Sequence, residues 1–294
     1  MAGRKYPLEI LSQKIKLAYA RLSKCDLCPR ECRVNRLKGE RGYCGMDAGL
    51  YISSFGPHFG EEPELVGKGG SGTIFLTGCN LKCIFCQNYE ISHFMIGKRY
   101  SVEELVDIML YLQDRGCVNI NFVTPTHYTP HIMKAIFLAR ERGLEIPVVY
   151  NCGGYEKVET LKLLDGFIDI YMPDAKFIEP DLSGRYLDAC DYPQVMRKAI
   201  KEMYIQVRDM VIENGIARKG LLIRHLIMPE GIENARKILE FIAREISIHT
   251  YVNIMDQYHP CYRAADFPEI NRRVSSQEYR QVIKIAHALG FLIR

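Results

Sequence analysis

TGCNLKCIFCQN at 77–88 sets Cys79, Cys83 and Cys86 in a C-x3-C-x2-C spacing directly after an apolar run at 73–77. Thiolates are the usual ligands of iron–sulfur clusters, and three within eight residues can wrap a short loop around one cluster while leaving its fourth iron without a protein ligand. An open iron can bind substrate. A structural zinc loop is the competing reading, but zinc would need a fourth ligand.

Outward from this loop, short apolar runs alternate with amphipathic stretches. Strands are predicted near 73–77, 118–124, 146–151, 167–172, 220–227 and 249–254. Ser101 and Glu104 form a capping-box pattern ahead of the stripe Val102, Leu105, Val106, Met109 and Leu112, and Gly116 follows as a C-terminal cap. Pro130 suits the first turn of a helix that Gly143 would end. Met196, Ile200, Met203, Val207 and Met210 mark a long helix closed by Gly215, and 275–290 forms the last one. Repeated strand–helix alternation implies parallel strands, in an open doubly wound sheet or in a full or partial barrel. Either places ligands at the C-terminal ends of the strands. The stretch 53–72, with six glycines and two prolines, reads as the linker into this unit.

Upstream of it, Leu8, Leu11, Ile15, Ala18 and Leu22 recur at helical spacing, and a cysteine-rich, basic segment runs to about residue 46. Cys25, Cys28, Cys32 and Cys44 supply four ligands, enough for a closed site. Zinc would take four thiolates tetrahedrally, whereas the compressed C-x2-C-x3-C spacing also suits an auxiliary iron–sulfur cluster; spacing leaves both open. Arg21, Lys24, Arg30, Arg33, Arg36, Lys38 and Arg41 outnumber Asp26, Glu31 and Glu40 around it. Such a patch suits RNA or an acidic protein, although a solvated charged face is the commoner outcome.

The chain has 294 residues, room for two average domains or one α/β barrel with an extension. With 48% apolar and 25% charged residues it matches globular proteins rather than disordered, collagenous or membrane-spanning chains. A net charge of +4 implies neither nucleic acid nor an anionic membrane. Eleven cysteines are far fewer than the ~8–10% of a disulfide scaffold. Polar Glu9, Gln13, Lys14 and Lys16 interrupt any secretory apolar core, so a reducing cytoplasm is expected, where clustered cysteines bind metal or do catalysis.

With Phe85 before its last cysteine and a strand ahead of it, the C-x3-C-x2-C loop resembles that of the radical S-adenosylmethionine (SAM) enzymes. More closely, the chain is similar to proteins related to pyruvate formate-lyase activating enzyme, over about 67–294. The resemblance implies a partial (βα)6 TIM-like barrel and a 4Fe–4S cluster whose open iron is chelated by SAM. One electron then cleaves SAM to methionine and a 5'-deoxyadenosyl radical that abstracts hydrogen from substrate. Thr124, Pro125, Thr126 and His127 stand where many relatives place Gly-Gly-Glu to receive the SAM amino group; the usual acid is missing, leaving carbonyls and hydroxyls as acceptors. Asn151 matches a SAM-contacting Asn. Asp174 and Lys176 resemble an Asp-x-Lys pair that holds the SAM ribose and carboxylate, and Arg224 and His259 match further positions near SAM.

Other signals lack their context. Gly67, Gly69 and Gly72 satisfy GxGxxG but precede the first barrel strand, and His127 and His131 have Pro130 between them and no following Glu, unlike a zinc protease helix. Cys117, Cys152, Cys190 and Cys261 read mostly as buried thiols, with Cys152 and Cys261 near strand ends.

The expectation is therefore an α/β chain. Residues 1–66 would hold an N-terminal helix, a small four-cysteine metal-binding module and a linker, and 67–294 a radical SAM partial barrel. The leading function is hydrogen abstraction, with a glycine of a glycyl radical enzyme as substrate and flavodoxin or ferredoxin as electron donor. Radical modification of RNA or a small molecule is the alternative among enzymes. A non-enzymatic iron–sulfur protein serving electron transfer or docking is the alternative outside them. No membrane association is expected.

Overall fold

Period-two apolar runs become strands, and the 3.6-period stretches between them become helices, in a computed structural model that describes residues 5–293. The strands are β1 (Leu50–His58), β2 (Ser71–Leu76), β3 (Lys98–Tyr100), β4 (Ile120–Val123), β5 (Val148–Cys152), β6 (Ile170–Pro173), β7 (Val211–Glu213), β8 (Ile216–Leu226) and β9 (Tyr251–Met255). The helices are α1 (Leu8–Ala20), α2 (Pro63–Val66), α3 (Tyr89–Ser92), α4 (Val102–Asp114), α5 (Thr129–Glu141), α6 (Val158–Leu164), α7 (Pro180–Leu187), α8 (Tyr192–Val207), α9 (Ile232–Glu245) and α10 (Ser276–Ala288). The capping box at Ser101 and Glu104 starts α4 as its sequence requires, and Pro130 lies in the first turn of α5.

β2, β4, β5, β6, β8 and β9 pair in parallel in that order, the six strands of a partial (βα)6 barrel. Successive side chains alternate between two packings. Ile120, Phe122, Val148, Tyr150, Tyr171, Leu221 and Ile223 join the large core shared with the helices. Val149, Ile170, Met172 and Leu222 form a separate cluster with Leu65 of α2 and line the barrel lumen. The paired register puts Asn121, Asn151, Arg224 and Asn253 on that same lumen face.

Two expectations are corrected. The glycine-rich 53–72 stretch is not a linker throughout: its first part belongs to β1, which pairs antiparallel with β2 and with edge strand β3. The alternation of Leu50 and Ile52, both buried, carries the strand despite the glycines. Beyond β1 the chain crosses to α2, and Asn119 Nδ2 donates to Leu65 O at 2.7 Å, so this segment closes the lumen from the strands' N-terminal side. Second, the helix through Met196 ends at Val207, not at Gly215. Asn214 (φ 53°) and Gly215 (φ 78°) instead form the two-residue turn of the β7–β8 hairpin, a left-handed pair that Asn-Gly favours.

Candidate metal centre at the barrel mouth

The loop carrying Cys79, Cys83 and Cys86 leaves the top of β2 through Gly78, whose φ is +83°. A Cβ there would lie 2.7 Å from Cys44 O, so both the left-handed backbone and the close approach of the N-terminal segment require glycine. Backbone bonds then pin the loop: Lys82 N donates to Leu187 O at 3.1 Å, Ile84 N to Tyr186 O at 3.0 Å, and Arg263 N to Ile84 O at 2.9 Å. Phe85 is buried edge-on against Phe177 and Tyr258, which fixes the turn between Cys83 and Cys86.

The three thiols feel one another. Burial pushes Cys79 up to about 11 and Cys83 higher still, and the neighbouring Cys86 raises both further. Desolvated thiols such as Cys79 and Cys83 favour the protonated form, and a bound metal deprotonates coordinating thiols outright. The Leu81 N–H donates to Cys79 Sγ at 3.4 Å and the Lys176 charge opposes the rise at Cys83, so each offsets part of the cost of forming a thiolate there. Among the described residues no group of three or more Cys, His, Asp or Glu is drawn together to hold a metal ion. The fit to a cluster therefore rests on donor type, spacing and these shared electrostatics.

At the end of β6, Asp174 and Lys176 form a 2.6 Å ion pair. Burial works against the Lys176 charge, but Asp174 and then Cys83 outweigh it and raise its pKa. Tyr192 clamps this strand end: its hydroxyl donates to Asp174 O at 2.8 Å and Gly153 O at 2.9 Å and accepts from Lys176 N at 3.1 Å. Asn151 lies one strand over, paired with Met172 on the lumen face. Its carbonyl accepts from Thr124 N at 2.9 Å, and Thr124 has a left-handed φ of 61°. His259, half-buried after β9, has Nδ1 3.5 Å from Gln87 Nε2, next to Cys86.

Two residues turn elsewhere. Thr126 is buried and its hydroxyl donates to Glu156 Oε1 at 2.6 Å. Arg224 reaches toward the lumen floor, where Nε donates to Glu62 Oε1 at 2.8 Å, Nη2 to Glu62 Oε2 at 2.7 Å, and Nη2 also pairs with Glu61. Asn121 and Asn253 donate to the same carboxylates at 2.9 and 2.7 Å. Burial alone would raise the Glu62 pKa, but Arg224 and Asn253 hold it below the ordinary value.

Sequence reasoning missed Glu156, which is 2% exposed. Burial pushes it up to about 7 against the hydroxyls of Thr126 and Tyr150. Gly153-Gly154-Tyr155-Glu156 follows β5 directly, and an acid just beyond a strand end was the available signal. Tyr192, Glu61 and Glu62 gave no such local sign.

The N-terminal cysteines lie near enough to feel one another, without being drawn into a ready metal site. Cys25, Cys28 and Cys44 are buried and Cys32 is half-buried. Burial raises Cys28 and Cys44; Cys44 and Cys25 add to the rise at Cys28, and Cys25 and Cys32 to that at Cys44. The Tyr43 N–H donates to Cys32 Sγ at 3.2 Å, and the backbone about Arg30 and Met46 opposes part of the rise at Cys28 and Cys44. Much of the basic excess is spent internally: Arg21 and Arg33 pair with Asp26, Arg33 also with Glu31, and Arg36 is 1% exposed, donating to His127 O at 2.8 Å and Asp47 O at 2.7 Å. His127 and His131 are buried and bound through Nε2 to Thr77 O and Ala48 O, in place of any shared metal. Cys152 is buried at the end of β5, and Cys261 lies half-buried in the loop after β9.

Residues 73–242 match the sequence model of the Radical SAM superfamily. An uncharacterized protein of Methanocaldococcus jannaschii is 33% identical over 285 residues, covering 94% of this chain and 78% of that one. The pyruvate formate-lyase-activating enzyme of Clostridium pasteurianum is 26% identical over 204 residues, covering 63% of this chain and 75% of that one. In fold, the chain is similar to Streptococcus suis SuiB bound to S-adenosylmethionine, with a TM-score of 0.51 at 15% identity over 71% of this chain; it spans 44% of that protein's length. Among the described residues no helix is long and apolar enough to cross a membrane. With that match running from β2 through α9 and including the loop of Cys79, Cys83 and Cys86, the chain belongs to the radical SAM superfamily, whose enzymes use a 4Fe–4S cluster and SAM.

Proposed function

We propose that this chain is a radical SAM enzyme that abstracts hydrogen from a partner protein, in the manner of a glycyl radical activating enzyme, with a four-cysteine metal module ahead of β1 and a catalytic barrel that β1 and α2 join. The observation that carries the reading is the Asp174–Lys176 pair at the end of β6, electrostatically joined to Cys83. Cys79, Cys83 and Cys86 would hold the cluster. When bound, cluster and SAM supply a 5'-deoxyadenosyl radical, an oxidant strong enough to take hydrogen from an unactivated C–H bond.

The chain's own residues bind, orient and exclude water. Lys176 presents a positive charge suited to the SAM carboxylate, and Asp174 a carboxylate suited to a ribose hydroxyl. Asn151, with an amide that both donates and accepts, faces the same space. Phe85, Phe177 and Tyr258 wall the loop with apolar surface, which shields a reactive carbon radical from solvent. The assignment of a glycine on a partner protein is supported by the likeness to the Clostridium pasteurianum activating enzyme. Internal pairing of the N-terminal arginines weakens the RNA alternative, because paired cations are not free for phosphates. Eleven free cysteines accord with a reducing cytoplasm, where flavodoxin or ferredoxin would be the donor.

The test is anaerobic reconstitution with iron and sulfide, followed by dithionite and SAM. Formation of 5'-deoxyadenosine that disappears in Cys83→Ala supports the enzyme, and its absence from protein with a demonstrated reduced cluster overturns it. Adding a glycyl radical enzyme and finding the glycyl doublet by electron paramagnetic resonance (EPR) supports that substrate.

A further inference from the structure

The N-terminal module and the barrel cysteine loop touch, and one side chain spans the contact. Arg30 lies in the turn between Cys28 and Cys32, which Glu31 N closes by donating to Cys28 O at 3.1 Å, and its side-chain Nε donates to Asn80 O at 3.0 Å, inside the interval between Cys79 and Cys83. Asn80 is 2% exposed, and its Nδ2 donates to Tyr155 O at 2.7 Å, so that peptide is held from both sides. The next N–H, that of Leu81, is the one that donates to Cys79 Sγ.

The guanidinium is itself held by rings. Arg30 Cζ lies 3.8 Å from the Tyr43 ring centroid and 5.1 Å from that of Tyr155. Tyr43 in turn donates its N–H to Cys32 Sγ at 3.2 Å. The Cys32 sulfur, through Tyr43, and the 28–32 turn, through Arg30, are therefore tied to one peptide of the barrel loop. Arg30 Nη2 is buried without a hydrogen-bond partner, a cost that packing alone does not call for.

We propose that Arg30 is a positioning residue that couples occupancy of the N-terminal four-cysteine site to the geometry of the Cys79–Cys83–Cys86 loop. The inference rests on the reading of both cysteine sets as metal sites. Metal at Cys25, Cys28, Cys32 and Cys44 fixes the 28–32 turn and with it Arg30; Arg30 fixes the Asn80 peptide on which the barrel loop turns. The module has an independent anchor, since Lys157 binds Asp26 at 3.1 Å and Glu31 at 2.5 Å, so it stays docked when Arg30 is removed.

The test compares reconstituted full-length wild type, Arg30→Ala, Arg30→Lys, Cys28→Ala and the Arg30→Ala/Cys28→Ala double variant. Iron, zinc and sulfide are counted first. A wild type without metal at the N-terminal cysteines fails the underlying reading, and that result is separate from any spectrum. With both sites loaded, Arg30→Ala is expected to shift the EPR g values of the reduced, SAM-bound cluster and to weaken SAM binding, read by EPR titration, about fivefold or more. Cys28→Ala gives the same shift, the double variant adds nothing to it, and Arg30→Lys restores part of it. Arg30→Ala with the wild-type spectrum and SAM affinity overturns the proposal, as do effects that add in the double variant. If Arg30→Ala does not fold, Cys28→Ala decides: loss of the N-terminal metal with an unchanged SAM-bound spectrum overturns it.

Discussion

Cys79, Cys83 and Cys86 hang from the end of a buried parallel strand, whereas Cys25, Cys28, Cys32 and Cys44 sit in a segment whose regular structure is a few residues of 3-10 helix. The barrel loop takes its shape from outside itself, through backbone bonds to Tyr186, Leu187 and Arg263 and the packing of Phe85. The N-terminal loop has a small core of its own, Leu22, Cys25 and Leu27, in which a cysteine is a packing residue. A scaffolded loop can leave a ligand position vacant, because the fold rather than the metal holds it. A loop with so little core would lean on a bound metal for its shape.

The largest effect expected from this contrast comes from removing each set. Replacing Cys79, Cys83 and Cys86 with alanine abolishes 5'-deoxyadenosine formation while leaving circular dichroism and the N-terminal metal in place. Retained iron with sulfide would mark an auxiliary cluster there, and retained zinc a structural site. Replacing Cys25, Cys28, Cys32 and Cys44 lowers the melting temperature instead. Equal loss of stability from both replacements would break the distinction.

Next in size is Lys176→Met, which removes the cation paired with Asp174 and leaves a partly buried carboxylate unpaired. SAM binding, measured by equilibrium dialysis, should weaken ~10- to 100-fold, the ~1.5–3 kcal/mol of a hydrogen bond to a charged group. Cluster iron should be unchanged, which separates the SAM site from the metal loop.

The smallest effect is a pH dependence at Glu156, which lies between the two regions: it bonds Thr126 of the barrel and adds to the rise at Cys28. Its folded pKa of about 7 exceeds the ordinary 4.5, so between those values the folded chain binds more protons than the unfolded one. Its contribution to stability is therefore full below pH 4.5 and falls as pH rises toward 7, by on the order of 3 kcal/mol. Denaturant midpoints should decline over that window in wild type. In Glu156→Gln that part of the decline should vanish; an unchanged slope would mean the carboxyl is ionised in the fold.

Local pattern was enough for much of the architecture. The parallel strands, the capping box of α4 and the C-x3-C-x2-C loop are written in neighbouring residues, because periodicity, caps and ligand spacing are short-range properties. β1 escaped because its second half, from Ser53 to His58, breaks the apolar alternation with a glycine and a proline, and β3 because three residues, Lys98–Tyr100, are too few to carry a pattern. The β7–β8 hairpin escaped because Asn214-Gly215 suits a helix end as well as a hairpin turn, the left-handed conformation being equally at home in both.

What the sequence by itself determined is the parallel strand order, the cysteine spacing and the strand ends beside it, since each depends on residues close together in the chain. Only the tertiary structure decided which charges are spent. Arg224 goes to Glu61 and Glu62, more than 160 residues away, Thr126 goes to Glu156, and Arg30 bridges to Asn80. Such pairings arise from which desolvated groups the closed barrel brings within hydrogen-bond reach, and no local pattern encodes that distance.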